Sequence, residues 1–272
     1  MPSPYAVFGN PINQSKSPLI HAEFAAELGL DAPYGALLAP KDGFASALKD
    51  FIAKGGRGCN VTAPFKIDAF NCATHIMARA QSAGAANVLT LMNGEIIADN
   101  VDGVGLVTDI SYNLGQKLSG ARILIFGAGG ATRGALLPLI EADPAQITIA
   151  NRTLARAVEL AELMAPYGIL RASALAEVSD RYDIIINATS GALHGDGLAV
   201  SPHIFEQAVL AYDMTYGKGL TSFLQLAQQG GAGKLADGVG MLVEQAAESC
   251  LIWHGRRPAT RDLIAKLRLP LT

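Results

Sequence analysis

Charge is scarce in this chain. Only 17% of its 272 residues are Asp, Glu, Lys or Arg, and their formal balance is -3 at pH 7. No block of lysines and arginines appears, which removes the electrostatic footing that nucleic-acid binding needs. Long apolar runs are missing too: no stretch reaches the ~20 residues of a membrane helix. The opening Met1-Pro2-Ser3-Pro4-Tyr5-Ala6-Val7-Phe8-Gly9 lacks the charged head and apolar core of a secretory leader. Cysteine is sparse; Cys59, Cys72 and Cys250 are odd in number and form no CxxC pair, which speaks against a disulfide framework. The five histidines stand at no metal-ligand spacing, and there is no repeat or low-complexity tract. These absences leave the expectation of a soluble, reduced, cytoplasmic protein with no metal, nucleic-acid or membrane partner.

What is abundant is apolar surface. Half of the residues are hydrophobic, so a large core is available, and the length suits one large domain or two ordinary ones. Tyr5 to Gly9 reads as a buried strand. Ser17-Pro18 reads as an N-cap followed by proline at the first helical position, with Ile20, Phe24 and Leu28 on one face and Gly29 as the stop. A strand near 34–39, a helix over 42–54 and a strand near 58–62 follow. Asn93-Gly94 sits between two strand-like runs, 88–92 and 95–99, as a hairpin turn. From Arg122 onward, apolar runs at 122–126, 147–150, 183–187 and 209–213 are separated by helix-length segments, the pattern of a parallel sheet covered on both faces. The segment from Val239 to Trp253 reads as a helix, with Leu242 and Ala246 on its apolar side.

The run 122–126 enters Gly127-Ala128-Gly129-Gly130-Ala131 and then a helix. Glycines in that context let a backbone approach a pyrophosphate whose charge the helix start stabilises. Thr132 occupies the third glycine position of GxGxxG, and tight strand–helix packing explains such a loop equally well. The next strand ends in Ala150-Asn151-Arg152-Thr153-Leu154-Ala155-Arg156. An NAD site usually places a carboxylate there for the ribose hydroxyls; none is present. Arg152 and Arg156 suit a 2′-phosphate instead. Cations against a helix N-terminus are otherwise unfavourable, so NADP is expected over NAD.

Four polar clusters interrupt the apolar first hundred residues. Ser15-Lys16-Ser17-Pro18 lies at a helix start, where Ser17 either caps the helix or holds a ligand. Asn60-Val61-Thr62-Ala63-Pro64-Phe65-Lys66 ends a strand and puts a lysine near a helix start, against the helix dipole. Asn87 precedes the hairpin and Asn100-Val101-Asp102-Gly103 follows it. Asp102, taken alone, reads as a helix cap.

Taken together, these clusters resemble the shikimate dehydrogenase family along nearly the whole chain. The resemblance rests on Gly9-Asn10-Pro11 with Ser15-Lys16-Ser17-Pro18, on Asn60 to Lys66, Gly84-Ala85-Ala86-Asn87 and Asp99-Asn100-Val101-Asp102-Gly103. The glycine loop, Asn151-Arg152-Thr153, Asn187-Ala188-Thr189-Ser190, Tyr212-Asp213-Met214 with Tyr216, and Asp237-Gly238-Val239-Gly240-Met241-Leu242 with Gln245 complete it. It implies an α/β fold of two domains separated by a cleft. Residues 1–102 and 239–272 would form a substrate-binding domain, and 103–238 a Rossmann-like NADP-binding domain. It also implies reversible reduction of 3-dehydroshikimate to shikimate, a step toward the aromatic amino acids, by a monomer or homodimer. Lys66 and Asp102 would be the catalytic pair. Ser15, Ser17, Thr62, Asn87, Asp102 and Gln245, with Tyr216 nearby, would hold the substrate. Gly127, Ala128, Gly129, Gly130, Ala131, Asn151, Arg152, Thr153, Arg156, Met214 and Gly238 would line the cofactor site.

Several positions depart from the family pattern. Val88 and Val101 stand where threonine is common, which removes two hydroxyls. Ala63 replaces a commoner valine, and Gly191-Ala192-Leu193 alters a loop on the cofactor side. An NAD-linked enzyme acting on quinate is the neighbouring reading, disfavoured by the two arginines. A non-catalytic metabolite sensor would be expected to lose Lys66, Asp102 or the glycine loop, and none is lost.

Overall fold

Strand β1 (Tyr5–Gly9) is buried along its whole length because it lies inside a sheet with neighbours on both edges. Strands β2 (Tyr34–Leu38) and β3 (Gly58–Val61) flank it in parallel. Helix α1 (Ser17–Leu28) joins β1 to β2, and α2 (Phe44–Ala53) joins β2 to β3. A short helix α3 (Lys66–Asn71), a two-residue strand β4 (His75–Ile76) and helix α4 (Ala78–Ala83) follow. Strands β5 (Val88–Met92) and β6 (Glu95–Asp99) then form an antiparallel hairpin, and β5 docks antiparallel on β3. At its tip Asn93 and Gly94 both take left-handed conformations, φ 54° and 81°, as a two-residue type I′ turn requires. The sheet order is β2-β1-β3-β5-β6-β4. On one face Phe8 packs edge-on against Phe44 and Phe51, each 5.6 Å away between ring centres. Elsewhere on the sheet Gly58 leaves room for Trp253: a Cβ there would fall 2.5 Å from the indole nitrogen, which donates to the Leu89 carbonyl.

The start of α1 differs from the expected cap. Ser17 is the first helical residue, and no side chain caps from the preceding Lys16. The Ser15 hydroxyl accepts the Ser17 N–H instead, at 3.3 Å. The earlier serine reaches the orphan amide, while the Ser17 hydroxyl does not serve as the cap.

The second sheet is parallel throughout, in the order β12-β11-β10-β7-β8-β9. Its strands are β7 (Arg122–Phe126), β8 (Gln146–Asn151), β9 (Leu170–Ala174), β10 (Ile184–Asn187), β11 (Leu210–Asp213) and β12 (Leu235–Asp237). Helices α5 (Asp102–Thr108), α6 (Gly130–Glu141), α7 (Leu154–Met164), α8 (Ser222–Gln229), α9 (Val239–His254) and α10 (Arg261–Leu267) complete the chain. Leu124, Ile125, Phe126, Ile149, Ile184 and Ile186 are almost wholly buried, as expected of parallel strands covered on both faces. The computed structural model describes residues 3–189, 200–217 and 219–271, so Ser190 and Gly191-Ala192-Leu193 lie outside the described residues. Among the described residues no helix is long and apolar enough to cross a membrane. No group of three or more His, Cys, Asp or Glu among them is placed to hold a metal ion.

Two compact units result: Met1–Gly105 with Val243–Leu263, and Leu106–Leu242 with Ile264–Thr272. The divisions fall a few residues beyond 102 and 238, and the last residues join the second unit. Asp109 accounts for the shift at α9. Its carboxylate is fully buried, accepts the Tyr212 hydroxyl at 2.8 Å and fills the space a Cβ on Gly240 would need, 2.0 Å away. The Tyr212 oxygen in turn accepts the Met241 N–H, which ties the first turn of α9 to β11. At the end of the chain Leu271 packs on the second unit's core.

A histidine in the first unit makes that unit sensitive to acid. His21 is buried and stacked flat on Tyr34, ring centres 4.0 Å apart, and among the described residues its Nε2 has no hydrogen-bond partner. Burial penalises the imidazolium and pushes its pKa down to about 3. The folded pKa lies below the unfolded one, so stability is intact above the unfolded value and is lost as pH falls toward the folded value. Between pH 6.5 and 5.5 the wild type should lose about 1 kcal/mol more than His21→Phe, which keeps the stacking. Urea unfolding of both proteins at the two pH values checks this; parallel losses would count against it.

Candidate active site

The end of β3 and the start of α5 meet around one carboxylate. Lys66, the first residue of α3, donates from Nζ to Asp102 Oδ2 at 2.5 Å. Asn87 donates from Nδ2 to Oδ1 of the same carboxylate at 2.8 Å. Both oxygens are thus engaged across the chain. The Lys66 side chain keeps 32% of its surface exposed against 13% for Asp102: the carboxylate is enclosed while the lysine side chain stays partly open to solvent. An ammonium carries three donors, so Lys66 retains N–H groups for a ligand.

The backbone holds this pair by cross-ties. Asn87 accepts the Val101 N–H on Oδ1 at 2.8 Å, and its own N–H donates to the Asp99 carbonyl. Asn100 donates from Nδ2 to the Ala85 carbonyl and accepts the Asp102 N–H on Oδ1. The Ala86 N–H donates to the Lys66 carbonyl at 2.8 Å. Asn60 spans β3, β5 and α9: it accepts the Tyr34 hydroxyl at 2.7 Å and donates to the Asn87 carbonyl and the Ser249 hydroxyl. Asn60 and Asn100 belong to the quoted motifs, but only the geometry shows what they do. Val88 and Val101 are wholly buried.

The first unit also carries Ser15, Ser17, Thr62 and Gln245. Ser17 and Gln245 are buried, and Ser15 and Thr62 half-buried. Gly9 makes room for Thr62, whose methyl lies 2.6 Å from where a Cβ on Gly9 would stand. Tyr216 belongs to the second unit, beyond the end of β11, and is partly exposed.

In the second unit the glycine loop follows β7 and opens α6. Gly127 has φ 102°, and a Cβ there would meet Thr189 and Ala188 at 3.1 and 3.3 Å. Among the described residues nothing lies within 4 Å of a Cβ on Gly129 or Gly130 and no side chain caps the helix start, which suits its first amides to an anion. Thr132, the departure from the glycine pattern, is buried and donates from Oγ1 to the Gly127 carbonyl at 2.7 Å. Its hydroxyl closes the loop where a glycine would only permit close packing. Ala128 is half-buried and Ala131 exposed.

Nearby strand ends complete the arrangement. Asp213 is fully buried and accepts from Asn187, the Thr215 N–H and the Thr221 hydroxyl. The Met214 carbonyl packs so closely on Gly238 that a Cβ would lie 2.2 Å from it, so position 238 excludes every other side chain. At the end of β8, Asn151 donates to the Thr153 carbonyl at 2.9 Å. Arg152 and Arg156 are exposed. The stretch 150–156 itself carries no carboxylate, and both guanidinium groups suit a phosphate.

Family models match three stretches: the shikimate dehydrogenase substrate binding domain over residues 7–89, shikimate / quinate 5-dehydrogenase over 109–194, and the shikimate 5′-dehydrogenase C-terminal domain over 238–268. The shikimate dehydrogenase (NADP(+)) of Nitrosospira multiformis is 51% identical over 98% of this chain and 98% of its own. The crystal structure of an Ael1 enzyme from Pseudomonas putida superposes with a TM-score of 0.95 at 48% identity, covering 98% of this chain and 99% of that one. That of shikimate 5-dehydrogenase from Thermus thermophilus, in complex with NADP(H) and shikimate, gives 0.86 at 30% identity, covering 97% and 98%. With identity near one half along the full length, and the lysine–aspartate pair and glycine loop both in place, the chain belongs to the shikimate dehydrogenase family.

Proposed function

We propose that this chain interconverts 3-dehydroshikimate and shikimate with NADP, and that its working direction is reduction, toward aromatic amino acids. The observation that carries the reading is the Lys66–Asp102 contact, with both carboxylate oxygens engaged and the lysine side chain partly exposed. The first unit is the substrate domain and the second the NADP domain. NADPH, when bound, would supply the hydride for the ring ketone carbon. Lys66 donates a proton from Nζ to the developing alkoxide, and in the reverse direction accepts it from the hydroxyl. Asp102 orients that hydroxyl and holds the lysine, while Asn87 fixes the carboxylate. Ser15, Ser17, Thr62 and Gln245 bind the substrate's carboxylate and ring hydroxyls, and Tyr216 is assigned to substrate binding as well.

The residues present fit NADP. The crowded Gly127 and Gly238 and the open Gly129 and Gly130 suit a backbone-lined phosphate cradle, and Arg152 and Arg156 suit a 2′-phosphate. Ala131, Asn151, Thr153 and Met214 complete that site. NAD would leave the two arginines without an anionic partner.

Lys66→Met should lower kcat by about 10² or more if the lysine is the proton donor, with NADP binding retained because the cofactor residues lie in the other unit. Asp102→Asn should also depress kcat. The double variant should be little worse than the poorer single one, since the two groups act as a unit. Steady-state kinetics with a separate cofactor-binding titration checks this; a Lys66→Met protein turning over within a few-fold of wild type would overturn the assignment. Loss of a charged hydrogen bond predicts that Arg152→Ala raises the KM for NADP by about 10- to 150-fold and leaves that for NAD nearly unchanged. Equal losses with both cofactors would make Arg152 a structural residue instead.

A further inference from the structure

One ionic chain in the first unit lies outside the machinery described so far. Arg79 of α4 grips Asp99, donating from Nε to Oδ1 at 3.0 Å and from Nη2 to Oδ2. Its third nitrogen, Nη1, donates to Glu248 of α9 at 3.2 Å. Glu248 also accepts from Arg257 at 2.8 Å, and Arg257 donates to Glu244 at 2.6 Å. Glu244 is almost wholly enclosed and takes a further bond from the Thr260 hydroxyl. Arg79 and Arg257 thus each bridge two carboxylates, in alternation.

The ends of this chain are what matter. Asp99 accepts the Asn100 N–H at 2.7 Å, and Asn100 in turn accepts the Asp102 N–H. From Arg79 to the residue that bears the catalytic carboxylate there are therefore three consecutive hydrogen-bonded links. At the other end, Gln245 is the neighbour of Glu244 on α9 and lies one turn before Glu248. A planar guanidinium holding one carboxylate in bidentate fashion and a second carboxylate by its remaining nitrogen fixes direction as well as distance. Isolated exposed ion pairs contribute little, but this set is largely enclosed, with side-chain exposures of 8% for Asp99 and 15% for Glu248.

We propose that Arg79 and Glu248 are positioning residues for the reaction: through them the loop that carries Asp102 and the helix that carries Gln245 are held in register. The inference rests on the functional reading above, in which Gln245 and Asp102 touch the substrate. A second link, from Asn60 through the Ser249 hydroxyl to the Gln245 carbonyl, keeps α9 seated on the sheet when the ionic link is cut. The ionic link therefore governs precision of placement and not folding.

The test uses Glu248→Ala, because Arg79→Met would strand Asp99 as a buried unpaired carboxylate and risks the fold. Alanine suits a helix interior, and both arginines keep their other carboxylate. Loosened register should raise the KM for shikimate about 3- to 10-fold, with kcat within about twofold and the KM for NADP unchanged. Glu248→Gln, which retains an acceptor oxygen for Arg79, should restore most of the loss. A merely structural role would reduce the active fraction and leave both KM values where they were; that result overturns the proposal, as does a parallel rise in both. Gln245→Ala serves as the control on the underlying reading. If it leaves the KM for shikimate unchanged, the substrate assignment itself fails; if it raises that KM while Glu248→Ala does not, only the positioning role fails.

Discussion

The placement of a single enclosed carboxylate organises the first unit. Asp102 sits at the start of a helix, yet its two oxygens are taken by side chains from a different strand end and a different loop. A carboxylate so enclosed is costly unless hydrogen bonds satisfy it, and the ties that satisfy it also locate Lys66 and Asn87. The hairpin, the Asn100 turn and the return of α9 to the first sheet serve one purpose: they bring residues 66, 87, 102 and 245 into one unit from distant parts of the chain.

In the proposed reading the second unit meets a different demand, the approach of backbone to an anion, and meets it with small residues. At Gly238 a Cβ would strike the Met214 backbone and at Gly127 φ is 102°, while among the described residues a Cβ on Gly129 or Gly130 would meet nothing. The first two glycines are required by the protein's own packing and backbone conformation, and the latter two suit the approach of a ligand. Thr132 shows how a departure from a motif keeps its function. The hydroxyl bonded to the Gly127 carbonyl holds the loop shut from inside the core.

Much of this is legible in the order of residues, and the exceptions have physical causes. Asn93-Gly94 marks its turn because few other pairs tolerate two left-handed residues, and the buried strands of the second sheet announce themselves as unbroken apolar runs. Strand β9 does not, since it lies at a sheet edge and carries a half-exposed, mixed set of residues; β4 is too short to show any periodicity. The cap of α1 falls elsewhere than Ser17 because Ser15, two residues earlier, competes for the same role. Lys66, Asp102 and Asn87 are recognisable as polar residues in apolar surroundings, but their mutual bonds span up to 36 positions. The link from Arg79 to Glu248 spans 169, and no local pattern signals a pairing at that range. The boundary in α9 is hidden for the same reason: it depends on Asp109 meeting Tyr212 and Gly240 across the fold.

The lysine–aspartate pair of one unit and the arginine-bearing strand end of the other together call for an NADP-linked shikimate dehydrogenase. Initial rates of the purified protein with shikimate and with quinate, each against NADP and NAD, decide the matter. The highest kcat/KM is expected for shikimate with NADP, reduced by loss of either the right cofactor or the right substrate. Equal or better turnover with NAD, a preference for quinate, or no turnover in any combination despite binding of both ligands would contradict it.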